Sequence, residues 1–277
     1  MTPISQEKLH TLRQKLARLN RVLIAFSGGV DSTFLLKVAV DTLGKDNVLA
    51  GIAVSPSLSE YQHQQARTLA RQFGIRLEEI PLDELHDPAY RANNSDRCFH
   101  CKSRLYKLLT EKARQENIPH ILCGSNLDDK SDYRPGNHAA EVFGILSPMM
   151  DIGLTKSEIR ELSREMDLPT ADLPASPCLA SRVAYGLEIT EEKLAQVEKA
   201  EDFLRRLGFV EFRVRHHGDI ARIEINPGEF AKLTSDTTRR QITDELKKLG
   251  FRYITLDLQG FRSGSMNEQL TTDQKRK

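Results

Sequence analysis

Five consecutive apolar residues, Val22 to Phe26, offer no polar side chain to water. A strand of that kind is stable when both of its faces are covered, which points to a parallel sheet between helices. The flanking sequence agrees. NVLAGIAV (47–54), IRLEEI (75–80) and HILCG (120–124) are further strand candidates. Helical spacings alternate with them: Leu9, Leu12, Leu16 and Leu19; TFLLKVAVDTLG closed by Gly44; a helix opened by a capping box of Ser57 and Glu60 and running to Phe73; and one from about Phe99 to Glu116. The order predicts an α/β fold, a parallel sheet with helices on both faces. Thr155 to Glu158 caps a helix ending near Leu168, and LPTADLPASPC (168–178) reads as a long constrained loop. Beyond Gly186 the segments 204–218 and 246–260 repeat a helix–Gly–strand pattern around a third strand, ARIEIN, which predicts a small C-terminal α+β domain. The expected organisation is 1–186, 187–265 and a polar tail, 266–277.

Ser27, Gly28, Gly29, Val30, Asp31 and Ser32 join the first strand to a helix. Paired glycines let the backbone turn and approach a ligand closely. The N–H groups and dipole of the following helix favour a phosphate. The lysine of a Walker-A loop is absent, and so is the GxGxxG spacing. The hexapeptide in this setting resembles the pyrophosphate loop of the ATP pyrophosphatase (PP-loop) superfamily, adenine nucleotide alpha hydrolase-like proteins that cleave ATP between its α and β phosphates. Gly124 and Asn126, at the end of the fourth strand, stand where an open parallel sheet presents ligands and are expected to complete the ATP site. Asp128, Asp129 and Asp132 follow; they are either a Mg²⁺-holding group or a solvated acidic loop.

Cys98 and Cys101 sit in Cys-Phe-His-Cys before a helix, and Cys178 follows the proline loop. Cys123 lies in an apolar strand and reads as a small core residue. Three thiols are too few for a closed Cys₄ site. They could hold a [4Fe–4S] cluster with one iron open to an extra sulfide. Zinc on Cys98 and Cys101, completed by His100 or Cys123, is the structural alternative. A third option is Cys178 as a donor of its own sulfur, its thiolate favoured by Arg182. On the strand FRVRHH, Arg213 and Arg215 share a face and suit a phosphate or carboxylate; a cross-strand ladder with Glu224 is the equally open alternative. His216 and His217 are expected at the surface.

Taken together, SGGVDS, CFHCK, GSNLDDKSDYRPG, PCLASRVAYG, RVRHHGDIARIE and TLDLQGFRSGSMN resemble the LarE family, the ATP-dependent sulfurtransferases of nickel-pincer nucleotide biosynthesis, over nearly the whole chain. The resemblance implies a small-molecule nucleotide substrate, pyridinium-3,5-biscarboxylic acid mononucleotide, whose carboxylates are adenylylated and then converted to thiocarboxylates. It implies ATP and Mg²⁺. With Cys98, Cys101 and Cys178 all present, it implies the [4Fe–4S] version of the chemistry, those three cysteines being both catalytic and metal-binding. It assigns substrate binding to Ser181, Arg182, Arg213, Arg215, Glu201 and Glu229. It further implies a homo-oligomer, a trimer or hexamer, and leaves the sulfide donor unidentified.

Forty basic and 39 acidic residues give a net charge of +1, which argues against the cationic surface of a nucleic-acid-binding protein, including a tRNA thiolase of the same superfamily. The first twenty residues lack the pattern of a signal peptide, and no apolar stretch is long enough to span a bilayer. A cytoplasmic protein is expected. An ammonia-using ligase would give the cysteines no task, and a non-catalytic ATP sensor would release no pyrophosphate.

Overall fold

A computed structural model describes residues 2–130, 135–174, 177–262 and 264–271; Asp132 and the end of the expected tail lie outside them. The chain divides into two compact units, Met1–Glu84 with Cys98–Ser176, and Leu85–Arg97 with Pro177–Lys277.

The first unit contains α1 (Pro3–Ala17), β1 (Val22–Ala25), α2 (Val30–Leu43), β2 (Val48–Val54), α3 (Glu60–Gln72) and β3 (Leu77–Pro81). After α4 (Pro88–Arg91), which belongs to the second unit, come α5 (Arg97–Gln115), β4 (His120–Cys123), α6 (Pro135–Val142), α7 (Pro148–Asp151) and α8 (Lys156–Glu165). The sheet is parallel in the order β3-β2-β1-β4, so β1 is central, with Val22 opposite Val48 on one side and His120 on the other. Alternation along β1 explains its unbroken apolar run. Val22 and Ile24 join Leu12, Leu16, Phe34 and Leu162 in one core, while Leu23 joins Leu49, Tyr106 and Leu109 in a second core on the other face.

The expected capping box at α3 is displaced. Leu58 N–H bonds the Ser55 carbonyl, which makes 55–58 a turn, and Ser59 is the first residue free to cap; its hydroxyl accepts from Gln62 N–H at 3.3 Å. At α8 the capping box of Thr155 and Glu158 is present as expected.

The second unit carries α9 (Glu191–Arg206), β5 (Phe212–His217), β6 (Ile220–Ile225), α10 (Phe230–Thr234), α11 (Asp236–Lys248) and β7 (Tyr253–Leu256). Its sheet runs β5-β6-β7, the first pair antiparallel and the second parallel. Leu204, Phe209, Val214, Ile223, Leu246 and Phe251 form its core. The helix–Gly–strand repeat has a concrete basis. Gly208 (φ +79°) and Gly250 (φ +104°) each end a helix, and the next residue's N–H returns to a helix carbonyl, Phe209 to Leu204 and Phe251 to Leu246. The unit begins earlier than the boundary expected after residue 186, because Gly186 N–H bonds Asn93 O and Ile189 N–H bonds Arg91 O. The expected polar tail is ordered at its start: a 3₁₀ turn at Ser265–Gln269 buries Ser265 and Met266.

No helix among the described residues is long and apolar enough to cross a membrane. His216, expected at the surface, is buried; its ring meets Phe251 at 5.2 Å and its Nε2 lies 3.0 Å from Gln196 Oε1. Burial, with the charges of Lys193 and His217, pushes its pKa down from 6.5 to about 4. The unfolded chain therefore takes up the proton first. Stability is complete above about pH 6.5 and declines as pH falls toward 4, by about 3 kcal/mol. Denaturant titrations should show this decline in the wild type and a flatter profile in His216→Gln.

Candidate active site

The loop after β1 is held by contacts that require its glycines. Gly28 has φ +72°, and a Cβ there would meet Ala66 of α3 at 3.2 Å. Gln65 Nε2 donates to the Gly28 carbonyl at 2.7 Å. Ser27 N–H donates to Ser32 Oγ at 3.2 Å, and the two hydroxyls are 3.0 Å apart. Gly29 caps α2 without a side-chain hydrogen bond, so the N-terminus of a 14-residue helix, Val30 first, meets the loop with its dipole uncapped.

Gly124 is beside this loop for a steric reason. A Cβ on it would lie 3.0 Å from Ser32 N and 3.1 Å from Ser32 Cα, backbone against backbone. Asn126 is buried and shapes the next turn: its Oδ1 accepts from Asp128 N–H and its N–H donates to Asp129 Oδ2, both at 3.0 Å. Asp128 Oδ2 accepts from Lys156 N–H at 2.9 Å, at the start of α8. Asp128 is exposed, as the solvated-loop reading expected, and Asp129 is buried, against it; both also accept backbone N–H groups and so shape turns. Lys156 Nζ in turn reaches Asp31 Oδ2 at 2.6 Å, while Asp31 Oδ1 is buried with no hydrogen-bond partner. Lys156 was not singled out in the sequence; its place in a helix cap concealed it.

Cys98 and Cys101, both half-buried, lie in the first turns of α5 three residues apart, a spacing that shares one helix face. Lys102 follows; its pKa is pushed up, first by Tyr106 and further by Cys123 and Cys101, against the opposing effect of burial. Cys123 is a buried core residue, as expected, with Ser147 Oγ 3.2 Å from its sulfur. Among the described residues no three His, Cys, Asp or Glu side chains gather as a metal site.

In the second unit, Cys178 precedes a 3₁₀ turn, Leu179–Arg182. Arg182 is 2% exposed; its Nε bonds Glu201 Oε1 at 3.0 Å, and its Nη1 donates to Ser181 Oγ at 3.0 Å and to the Cys178 carbonyl at 3.2 Å. Glu201 also accepts from Val214 N–H. Burial alone would raise the Glu201 pKa, but the Arg182 charge and hydrogen bond bring it below the ordinary value. Arg215 bonds Glu224 at 2.8 Å, so the ladder weighed from sequence exists, and Arg213 is the residue in register with Glu224. Arg213 stacks on Phe261 at 4.9 Å, and burial, then the Arg182 charge, pushes its pKa down to about 10. Arg215 Nε is buried without a hydrogen-bond partner. Among the described residues, Arg182, Arg213 and Arg215 are the buried cations beside the buried carboxylates Glu201 and Glu224, and the partly exposed Arg222 also reaches Glu224 at 3.1 Å. Such a set is suited to an anion.

Glu229 lies elsewhere, in a partly exposed 3₁₀ turn with Lys232 at 3.8 Å. Glu224, fully buried and also bonded to Ser265 Oγ at 2.7 Å, is the acidic residue of the array that the sequence reading left out of its site. The alternation of ARIEIN, which places Arg222 and Glu224 on one face, was the available signal.

The family model described as NAD synthase matches residues 4–123, the span from α1 to the end of β4. An uncharacterized protein of Synechocystis sp. is 43% identical over 96% of this chain and 99% of its own length. The pyridinium-3,5-bisthiocarboxylic acid mononucleotide synthase of Lactiplantibacillus plantarum is 40% identical over 96% of both chains. An uncharacterized protein of Methanocaldococcus jannaschii is 29% identical over 92% of this chain and 95% of its own. Similarity that runs through both units, together with a nucleotide-type loop in the first, establishes that this chain belongs to the LarE family of ATP-dependent sulfurtransferases.

Proposed function

We propose that this protein adenylylates the carboxylates of pyridinium-3,5-biscarboxylic acid mononucleotide and converts them to thiocarboxylates. The observation that carries the reading is the end-to-end similarity to a synthase of the bisthiocarboxylic product. The buried array of three arginines and two glutamates supports it, because an anionic nucleotide would balance the surplus charge.

ATP lies with its phosphates on residues 27–32, where the α2 dipole and loop N–H groups stabilise negative charge. A substrate carboxylate oxygen attacks the α-phosphorus, the bond to the bridging oxygen breaks, and pyrophosphate leaves. Mg²⁺ fits this site through Asp31, whose Oδ1 is a buried oxygen without a hydrogen-bond partner and of the donor type the ion takes. Arg182, Arg213, Arg215 and Ser181 orient the substrate's phosphate, with Glu201 and Glu224 fixing two of the guanidiniums. Sulfur then adds at the acyl carbon and AMP departs. Cys98 and Cys101 on α5, with Cys178 of the second unit, would be the thiolates that hold a [4Fe–4S] cluster, although the described residues do not gather as such a site. That cluster, when bound, supplies the sulfur as an additional sulfide. The active form is a cytoplasmic homo-oligomer.

Anaerobic iron and acid-labile sulfide analysis tests the cluster. About four irons per chain are expected in the wild type, lost in each of Cys98→Ala, Cys101→Ala and Cys178→Ala. An anaerobically reconstituted wild type without iron would overturn the cluster and leave Cys178 as a consumed donor.

A further inference from the structure

Asn93, in the second unit, is wholly buried at φ +53°, a left-handed conformation uncommon outside glycine. Its amide nitrogen reaches three carbonyl oxygens, of Val183 at 3.3 Å, Ala184 at 2.8 Å and Leu187 at 2.9 Å. Its amide oxygen accepts from Arg97. The Arg97 guanidinium, 3% exposed, donates to the Ala180 carbonyl at 3.0 Å and stands 5.9 Å from the centre of the Tyr185 ring. Two side chains therefore grip four carbonyls between residues 180 and 187. The same stretch continues from the Cys178 turn, whose carbonyl accepts from Ser181 N–H at 3.0 Å and from Ser181 Oγ at 2.8 Å.

We propose that Asn93 and Arg97 are positioning residues for the Cys178 turn, fixing the direction of the thiol and of Ser181 and Arg182. A buried cation is a costly way to hold a chain that apolar contacts would also hold. What directed hydrogen bonds to several carbonyls of one stretch add is orientation. The inference rests on the reading that Cys178 carries the sulfur chemistry.

The test is the alkylation rate of Cys178 by iodoacetamide, resolved by peptide mass spectrometry in the full-length, iron-free chain. Asn93→Gly keeps the left-handed backbone accessible and removes the amide. Arg97→Lys keeps the charge and removes the planar fork. At least a fivefold change at Cys178 is expected in Asn93→Gly and a smaller one in Arg97→Lys, with the rate at Cys123 unchanged. A change under twofold in both variants would overturn the proposal. So would parallel changes at Cys178 and Cys123, or loss of cooperative melting in both variants, either of which assigns the two residues to the fold. Full turnover by Cys178→Ala would instead sink the sulfur reading while leaving the alkylation result standing.

Discussion

Gly124→Val is expected to lower ATP-dependent pyrophosphate release at least 100-fold while leaving a folded protein. The added Cβ falls 3.0 Å from Ser32 N and 3.1 Å from Ser32 Cα, so main chain rather than a flexible side chain would have to move. Ser32 is bonded to Ser27 at both the amide and the hydroxyl, and displacement at one end of the loop therefore reaches the other. Small misplacements of this kind carry large rate penalties. The stability loss should be about 1–3 kcal/mol, as for overpacking in a core. Gly74→Ala is the control, because its φ is also positive (+66°) but nothing lies within 4 Å of the new methyl. Pyrophosphate release within tenfold of wild type in Gly124→Val would refute the argument.

The largest expected effect on stability comes from Glu201→Ala. It leaves the Arg182 guanidinium, 2% exposed, without its carboxylate and removes the acceptor for Val214 N–H. Breaking a buried pair in this way costs about 3–5 kcal/mol. The double variant Arg182→Met, Glu201→Leu removes both charges at similar volume and should recover at least half of that loss, although not activity. Urea denaturation of the three proteins measures both values. A single variant within 1 kcal/mol of wild type would show that water or a neighbouring group replaces Glu201, by the same scale of costs.

The parallel sheet was readable because β1, β2 and β4 are largely apolar runs and glycines close α2 and α3, although β3 carries Glu78 and Glu79. Val22–Phe26 alone required cover on both faces. The loop was readable because its glycines serve backbone geometry. Much of the site geometry was not. Asp129 looks like a metal ligand or a solvent-facing acid in sequence, yet it is buried and accepts from Asn126 N–H. The exposed Asp128 also accepts from Lys156 N–H, 28 positions away. The roles of Asn93 and Arg97 depend on carbonyls some 90 residues further along, which no local pattern encodes. Glu201 and Glu229 looked alike as isolated acids. Only tertiary packing separates them, burying the first against Arg182 and leaving the second beside Lys232.

The two helix–Gly–strand copies of the second unit have diverged in a particular way. Superimposing Gly208 on Gly250 sets Arg213 against Thr255 and Arg215 against Asp257. The hook and its core phenylalanine are retained in both, Phe209 in one and Phe251 in the other. The alternating positions that carry cations in β5 carry a neutral hydroxyl in β7 and an acid just beyond it. That acid, Asp257, bonds Arg222 at 2.6 Å, and Arg222 bonds Glu224. One copy thus carries the buried cations of the proposed substrate site, and its twin supplies an acid that braces the neighbouring strand through Arg222.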